Sequence, residues 1–460
     1  MPRRSVGISG GRPGGRVKGS EPSNWFGQPR GLTILFLTNM WEQFSYYGMR
    51  ALLVYYMTTQ LLFGQEKSSS IYGFYTAFAY FTPIIGGTIA DRWLGKRRAV
   101  IIGAATMAAG HFMMASEPLF YFALATIAIG NGLFLPTLPA QINDLYDAGD
   151  PRRPWAYNVY YVGVNVGAFL APLICGFLGE TYGWHYGFAA AGVGMLTGLL
   201  IYLYGQAHLP AERAPEAPQN DIAAIAHRGR DTALLLLGIG LAVTVFRGAY
   251  EQIGNTIALW MRDDVDRVIG GVEVGAAMFF SLNPLLVMVL TPLLLARWRR
   301  QAERGRELSV IQKMAVGALL VAASYLLVAA AESFSGGGRA HWVWLLSYFF
   351  IFTLGELFIL PNGLGIFARL APPKLGASTV AAWYLAIFSG SLVAGQVGRL
   401  WSRLGHVSFF VILAGIAALS AAFLYLLDAP TRRILARVGE RRDAPDLTDV
   451  PEGLARPSNA

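Results

Sequence analysis

The sequence predicts an all-α membrane protein in which twelve membrane-spanning helices form two six-helix bundles. First, the 460 residues are 54% hydrophobic and only 14% charged, whereas a soluble globular protein is about 25% charged. Second, the apolar residues form twelve runs of roughly 20 residues, the length at which a helix crosses a bilayer. Third, one polar segment divides these runs into two sets of six. These observations exclude an ordinary soluble protein.

The predicted spans follow the apolar runs, and the Gly and Pro residues inside them are compatible with helices. A membrane helix tolerates both residues because its neighbours satisfy the freed backbone groups. The predicted spans are 31–62, 70–90, 98–115, 118–142, 155–179, 185–206, 232–261, 273–296, 309–331, 341–369, 376–401 and 406–427.

The polar segment 208–231 is rich in Ala, Pro, Glu and Arg, a composition that indicates a cytoplasmic linker. It separates an N-terminal bundle, 31–207, from a C-terminal bundle, 232–428. The N-terminal tail, 1–30, is basic and Gly-rich and has no apolar core segment, so we expect a disordered cytoplasmic tail rather than a cleaved signal. The C-terminal tail, 429–460, is likewise polar.

The net charge of +9 reflects the orientation of the chain in a membrane rather than an affinity for nucleic acid. If the N-terminus is cytoplasmic and the helices alternate, most of the 37 Lys and Arg residues fall on the cytoplasmic side. This asymmetry predicts a multi-pass protein of the cell inner membrane with both termini in the cytoplasm. The single cysteine, Cys175, allows no disulfide and no thiolate metal site within the chain.

The first span carries a polar face with two ionisable side chains in an apolar environment. On a helix these residues recur at intervals that place them on one side. Because charged groups inside a membrane are costly, this side must face a neighbouring helix or a water-filled cavity, and such a cavity is typical of a transporter. The residues of this face are Asn39, Glu42, Gln43, Tyr46, Tyr47 and Arg50.

The two halves of the chain carry similar basic segments after their second spans. The segment 90–98 reads ADRWLGKRR, and the segment 296–300 reads ARWRR. Paired six-helix halves around a central site are the architecture of the major facilitator fold. The first segment resembles the cytoplasmic loop of that superfamily. The resemblance implies that Asp91, Arg92 and Arg97 act in gating, by holding the inner ends of the helices together.

Further motifs, taken in their order and spacing, resemble the proton-dependent oligopeptide transporter family. The match runs from about residue 31 to residue 427. The segments that carry it are EQFSYYGMRALL (42–53), GGTIADRWLG (86–95), YYVGVNVGA (160–168), EQIGN (251–255), NP (283–284), GEL (355–357) and Trp383.

The resemblance implies a secondary active transporter that moves short peptides or peptide-like compounds together with protons. Glu356 would receive the amino group of the substrate, and Glu42 and Glu251 would carry protons. The other members of the polar face of the first span would contact the substrate. The further substrate-binding candidates are Tyr80, Asn165, Arg247, Gln252, Asn283 and Trp383.

Three positions depart from the family pattern. The family has a Glu and an Arg in the first span and a Lys in the fourth, where this chain has Asn39, Gln43 and Leu135. In the family, that Arg and Lys hold the carboxylate of a peptide. Arg247 is the candidate replacement, because it lies four residues before Glu251 and shares a helix face with it. It would pair with Glu251 or hold a substrate carboxylate.

The candidate residues also have structural interpretations. Glu42 would then lock the bundle through a polar neighbour, and Arg50 would extend to the membrane interface. Glu251 and Arg247 would form a static salt bridge. The neutral polar residues would join helices by hydrogen bonds, and one of Tyr46 and Tyr47 would only pack between helices.

Two other functions are compatible with the departures. One is a facilitator or exporter of modified peptides, siderophore-like compounds or amines without standard proton coupling. The other is a receptor that does not transport, built on a transporter scaffold. The sequence contains no phosphate-binding loop of the Walker type and no legible catalytic or metal-ligand pattern, so neither an enzyme nor a cofactor is predicted. The expected partners are a small peptide-like substrate, protons and the bilayer, with the chain active as a monomer.

Overall fold

Each of the twelve predicted spans contains a long helix in the structure, a computed structural model that describes residues 27–146, 150–210, 230–370 and 376–443. This confirms the predicted all-α fold. The long helices are α1 (Arg30–Tyr55), α2 (Gln65–Ile89), α3 (Lys96–Met113), α4 (Phe120–Asp144), α5 (Arg153–Ala171), α6 (Trp184–Gly205), α7 (Arg230–Tyr250), α8 (Leu282–Glu303), α9 (Val310–Phe334), α10 (Trp342–Leu370), α11 (Gly376–Gly398) and α12 (His406–Asp443).

Several helices continue through irregular turns. Helix α5 passes through a π turn, Pro172–Gly176, into a short helix, Phe177–Tyr182. Helix α7 passes through a 3₁₀ turn, Glu251–Gly254, into a second helical segment, Thr256–Asp263. The π turns Tyr56–Gln60 and Ala90–Leu94 end α1 and α2, and further 3₁₀ turns are Glu117–Leu119, Gln206–His208, Ala276–Ser281 and Arg399–Ser402.

Within the described part of the chain, the nine helices α4 to α12 are long and apolar enough to cross a membrane by themselves. Helices α1 to α3 have lower hydropathy. In α1 the cause is the polar face identified in the sequence, and α3 begins with the basic residues Lys96, Arg97 and Arg98. These three helices pack against more apolar helices of the bundle, and this packing allows them to cross the membrane despite their lower hydropathy.

Short strands lie in the connections at one end of the bundles, and the sequence analysis did not predict them. Strand β1 (Val265–Asp266) pairs in parallel with β4 (Ala340–His341). Strand β2 (Val268–Ile269) forms a hairpin with β3 (Val272–Glu273). Two glycines with positive φ, 61° and 85°, join β2 to β3 and provide the backbone conformation that a tight hairpin turn requires.

Each six-helix bundle is held by close helix contacts. In the N-terminal bundle α1 packs against α5 and α6, and α3 packs against α4. In the C-terminal bundle α9 packs against α10 and α12. Between the bundles, α2 meets α11 and α5 meets α8. The two bundles therefore face each other across α1, α2 and α5 on one side and α7, α8 and α11 on the other.

The two ends of the molecule differ in how the bundles meet. We call the end that carries the α1–α2, α7–α8 and α11–α12 connections the far end, and the end where α1 begins and α6 ends the terminal end. Among the described residues, hydrogen bonds and ion pairs between the bundles lie in the far half of the molecule. The far end is therefore closed by polar contacts, whereas the described residues of the terminal half form no hydrogen bond or ion pair between the bundles.

Two groups of contacts close the far end. At the surface, the Glu66 carboxylate accepts hydrogen bonds from Arg403 at 2.8 Å and from Arg399 at 3.2 Å. Below it, the hydroxyl of Ser69 donates to the side-chain oxygen of Asn255 at 2.9 Å. The backbones of α2 and α11 also approach closely, since a Cβ atom added to Gly73 would lie 2.5 Å from the Cα atom of Gly395.

Most of the predicted tails and linker lie outside the described residues, so those boundaries stay predictions. The structure does extend the last helix. We predicted its span as 406–427, whereas α12 continues to Asp443. Beyond the apolar run, Asp428 pairs with Arg432 one turn later at 2.7 Å, and such i,i+4 pairs support a helix outside the membrane.

Candidate functional site

A cavity of about 530 Å³, including its opening, lies between the two bundles. Helices α1, α5, α7, α8 and α10 all contribute to its wall. Its ionisable and hydrogen-bonding lining comes from Tyr47, Arg50, Tyr250, Asn283 and Glu356, and its apolar lining includes Ala168, Pro172 and Phe280. Four of the polar residues are substrate-binding candidates from the sequence.

The break in α7 positions one acid of the site. Glu251 begins the 3₁₀ turn of α7 and is completely buried. One of its carboxylate oxygens accepts a hydrogen bond from Arg50 of α1 at 2.6 Å, and the other pairs with Arg247, one turn earlier on α7. The hydroxyl of Tyr72 on α2 lies 3.4 Å from the carboxylate and 2.9 Å from Nε of Arg50. One carboxylate is therefore shared by two guanidinium groups.

Arg247 is enclosed on several sides. Its guanidinium carbon lies 5.1 Å from the ring centre of Tyr80 and 4.9 Å from that of Tyr250, distances at which a cation and an aromatic ring attract. Gly390 of α11 faces its Cβ atom, and any side chain there would overlap it. Its side chain is 2% exposed, whereas that of Arg50 is 12% exposed and lines the cavity.

The second acid of the cavity, Glu356 of α10, has only neutral partners among the described residues. Tyr250 donates to one carboxylate oxygen at 2.8 Å, and Asn283 donates to the other at 2.6 Å. Asn283 also donates to the hydroxyl of Thr353 at 3.0 Å. These donors orient the carboxylate without neutralising its charge.

Four of the six residues on the polar face of the first span are buried, and the other two, Tyr47 and Arg50, are partly buried at the cavity. Gln43 donates to the Glu42 carboxylate at 2.6 Å, and the amide nitrogen of Asn39 lies 3.5 Å from the backbone oxygen of Tyr160. Glu42 is 1% exposed. No Lys or Arg of the described residues forms an ion pair with it. The ring of Tyr46 packs edge-on against Tyr47 at 5.3 Å.

Four further substrate-binding candidates have other partners and do not belong to the cavity lining. The amide of Gln252 donates to Gly248 and Ala394 and accepts from Asn255 and Thr256, so it joins α7 to α11. Asn165 donates to a backbone oxygen of its own helix at 2.9 Å. Trp383 is buried against Phe367 of α10. Tyr80 stacks on Tyr384 beside Arg247. The roles assigned to these residues stay predictions.

The gating candidates lie at the terminal end. Asp91 and Arg92 are exposed in the π turn that ends α2, and Arg97 donates to the backbone oxygens of Leu209 and Pro210 after α6. Leu135, at the position of the family lysine, is partly buried in α4. In this conformation, Arg97 joins the start of α3 to the first residues of the predicted linker.

Sequence reasoning missed two tyrosines of the site. Tyr250 stands between Arg247 and Glu356, since its ring faces the guanidinium of Arg247 and its hydroxyl donates to the carboxylate of Glu356. Tyr72 contacts both members of the Arg50–Glu251 pair. With 21 tyrosines in the chain, composition could not single them out. The only local sequence feature that could have indicated a role in the site was the position of Tyr250 next to Glu251.

The comparisons with known proteins agree with this architecture. The family model described as "POT family" matches residues 97–228 and 226–408. The peptide transporter YePEPT of Yersinia enterocolitica is 31% identical, over 92% of this chain and 97% of its own length. The di-/tripeptide transporter of Lactococcus lactis is 29% identical, over 90% and 98%. A crystal structure of a peptide transporter POT in complex with sulfate superposes with a TM-score of 0.83 at 28% identity, over 90% and 98%. The chain therefore belongs to the POT family, a family of membrane transporters rather than enzymes.

Proposed function

We propose that this protein is a proton-coupled symporter of short peptides. The observation that carries the proposal is the pair of opposite poles in the cavity. At one pole Arg50 and Arg247 share the single charge of Glu251, which leaves one surplus positive charge. At the other pole Glu356 is held by neutral donors.

A zwitterion fits this arrangement. A buried carboxylate without a cation is costly, so the natural partner of Glu356 is the amino group of a substrate. A guanidinium binds a carboxylate through two parallel hydrogen bonds, and Arg50 presents its guanidinium to the cavity. A peptide carries both groups on one short backbone. The peptide transporters to which the chain is similar support this choice of substrate.

The coupling proton is assigned to Glu42. It is buried, and its hydrogen-bond partner among the described residues is the neutral Gln43, whereas Glu251 is already neutralised by cations. A carboxylate that is exposed alternately to two sides of different pH binds a proton on one side and releases it on the other. The terminal end is assigned to the cytoplasm, because the basic segments lie there. The closed far end then faces outward, in an inner membrane.

The test replaces Glu356, the residue that is proposed to bind the amino group of the substrate. We expect Glu356→Gln to reduce the uptake of tri-alanine into proteoliposomes, under an inward proton gradient, by about tenfold or more. A hydrogen bond to a charged group contributes about 1.5–3 kcal/mol, and 1.4 kcal/mol corresponds to about tenfold. Glu303→Gln, an exposed position on α8, is the matched control. Uptake by Glu356→Gln equal to that of the control would remove the basis of the proposal.

A further inference from the structure

We propose that Arg247 is a resident counter-ion of Glu251, which keeps Arg50 available for a substrate carboxylate without a proton being taken up at Glu251. The inference rests on the proposed function and deepens it. It assigns to Arg247 a positioning role, distinct from the two roles that the sequence left open, a static salt bridge and a direct contact with substrate.

The first argument is the count of charges. With Arg50 alone, Glu251 would form a neutral pair, and an arriving carboxylate would have to compete with Glu251 for the guanidinium. Protonation of Glu251 would then be the way to free Arg50. With Arg247 present, two cations face one acid, so the cluster keeps one positive charge while Glu251 stays ionised.

The second argument is the position of the two cations. Arg50 lines the cavity, and Arg247 lies behind it between the rings of Tyr80 and Tyr250. The surplus charge is therefore presented on Arg50. Gly390 leaves room for the Arg247 side chain at the contact of α7 with α11, a further feature that fixes Arg247 in this place.

The third argument is the surroundings of Glu251. Apart from the two arginines, the ionisable side chains that face it from neighbouring elements are tyrosines, which are neutral near pH 7. No second acid of the described residues shares either guanidinium by direct contact. The groups that face Glu251 are Tyr46 and Arg50 of α1, Tyr72 of α2, Arg247 and Tyr250 of α7 and Tyr325 of α9.

The experiment counts protons taken up when tri-alanine binds to the purified protein, by calorimetry in buffers of different ionisation enthalpy. We expect Arg247→Leu to take up about one proton more than the wild type, and its affinity to fall by up to about tenfold per pH unit once Glu251 is ionised before binding. Arg247→Lys keeps the counter-ion and should take up the same number of protons as the wild type. The double variant Arg247→Leu/Glu251→Gln restores the surplus charge, so its proton uptake should also return to that of the wild type.

A structural role alone would change affinity or stability but not the number of protons. Arg299→Leu removes an exposed arginine of α8 and is the surface control. The proposal is wrong if Arg247→Leu binds with the proton count of the wild type. It is also wrong if Arg247→Leu and the double variant both lose binding at every pH, because Arg247 would then hold the carboxylate itself.

An infrared measurement separates this proposal from the proposed function. The difference spectrum between the wild type and Glu251→Gln, without ligand, should show an ionised carboxylate for Glu251 from pH 5 to pH 8. A protonated carboxyl band in that range would overturn the counter-ion role. If Glu251 is ionised and the wild type binds no tri-alanine, the counter-ion stands and the peptide substrate is refuted.

Discussion

At the scale of single residues, the three acids of the site have different surroundings, and we therefore propose a different task for each. Glu251 has two cations, Glu356 has two neutral donors at the cavity, and Glu42 has one amide and lies outside the cavity lining. A cation fixes a negative charge, whereas an acid with neutral partners responds to a proton or to a cationic ligand. Glu42 is thus suited to a proton and Glu356 to an amine.

Replacement of Glu42 tests its proton-carrying role. We expect Glu42→Gln to lose the accumulation of tri-alanine driven by a pH gradient, so that the concentration ratio falls to about one, because an amide does not titrate. Peptide exchange between the two sides of a proteoliposome should persist, since Gln keeps the size of the side chain. The measurement compares the uptake driven by the pH gradient with the exchange measured by counterflow, and Glu303→Gln is the control. Full accumulation by Glu42→Gln would move the coupling proton to another group.

Part of the site could be predicted from single residues. The family resemblance identified Tyr47, Arg50, Asn283 and Glu356, and all four line the cavity. The same reasoning included Gln252, whose amide is saturated by neighbouring groups of α7 and α11. A motif gives the residue type and the helix, but the direction of the side chain depends on contacts that are distant in sequence.

At the scale of elements, the interruption of α7 could not be read from the sequence. The segment EQIG contains no proline, and its apolar surroundings predict a continuous helix. The 3₁₀ turn brings Gly254 against the Tyr72 hydroxyl of the other bundle, where a side chain would not fit. The twelve spans, in contrast, depend on hydrophobic length, which the sequence states directly. The hydrophobic length of a span is a local property of the sequence, whereas the interruption of α7 depends on contact with a helix that is distant in sequence.

The contact of α2 with α11 gives a prediction at this scale. We expect Gly73→Leu to open the far end, because the added side chain meets the backbone of Gly395, which cannot rotate away. Overpacking costs about 1–3 kcal/mol, which corresponds to a shift of about 5- to 150-fold in population. Ile253 is buried and lines the cavity, so Ile253→Cys serves as the reporter in the Gly73→Leu protein. The measurement is the rate at which this cysteine reacts with an impermeant maleimide added at the far side.

Two controls accompany the labelling experiment. Cys175 is the only native cysteine and is buried, so the protein without the added cysteine gives the background. Gly365→Leu on α10 adds the same side chain where no atom lies within 4 Å of the new Cβ. Equal labelling rates for Gly73→Leu and Gly365→Leu would show that the glycine contact does not hold the far end closed.

At the scale of the whole molecule, the hydrogen bonds and ion pairs between the bundles are asymmetric. In the described residues they are concentrated in the far half, where Glu66 joins Arg399 and Arg403 across the two bundles. Alternating access requires that such contacts break when the far end opens and that others form at the terminal end. Asp91 and Arg92, exposed in this conformation, are available for the second set.

The surface contact predicts a modest change of conformation. Exposed ion pairs contribute about 0–1 kcal/mol each, so Glu66→Gln should shift the population by no more than about 30-fold. Spin labels at Leu62 and Ser402 should report longer distances at the far end, and labels at Arg98 and Arg304 shorter ones at the terminal end. Glu117→Gln, which removes a far-end acid bonded within one bundle to Gln60, is the control. A change at only one end would contradict a coupled movement of the bundles.

The opposite poles of the cavity also have an electrical consequence. The charges of Arg50, Arg247, Glu251 and Glu356 sum to zero, so the movement of the empty site between the two sides transfers no net charge from them. With Glu42 as the proton carrier, the loaded form is neutral at that residue and the returning form carries one negative charge. A negative interior potential then favours the outward return, by up to about 2.3 kcal/mol per 100 mV if the charge crosses the whole field. On the proposed function, the membrane voltage drives the step that the substrate does not accompany.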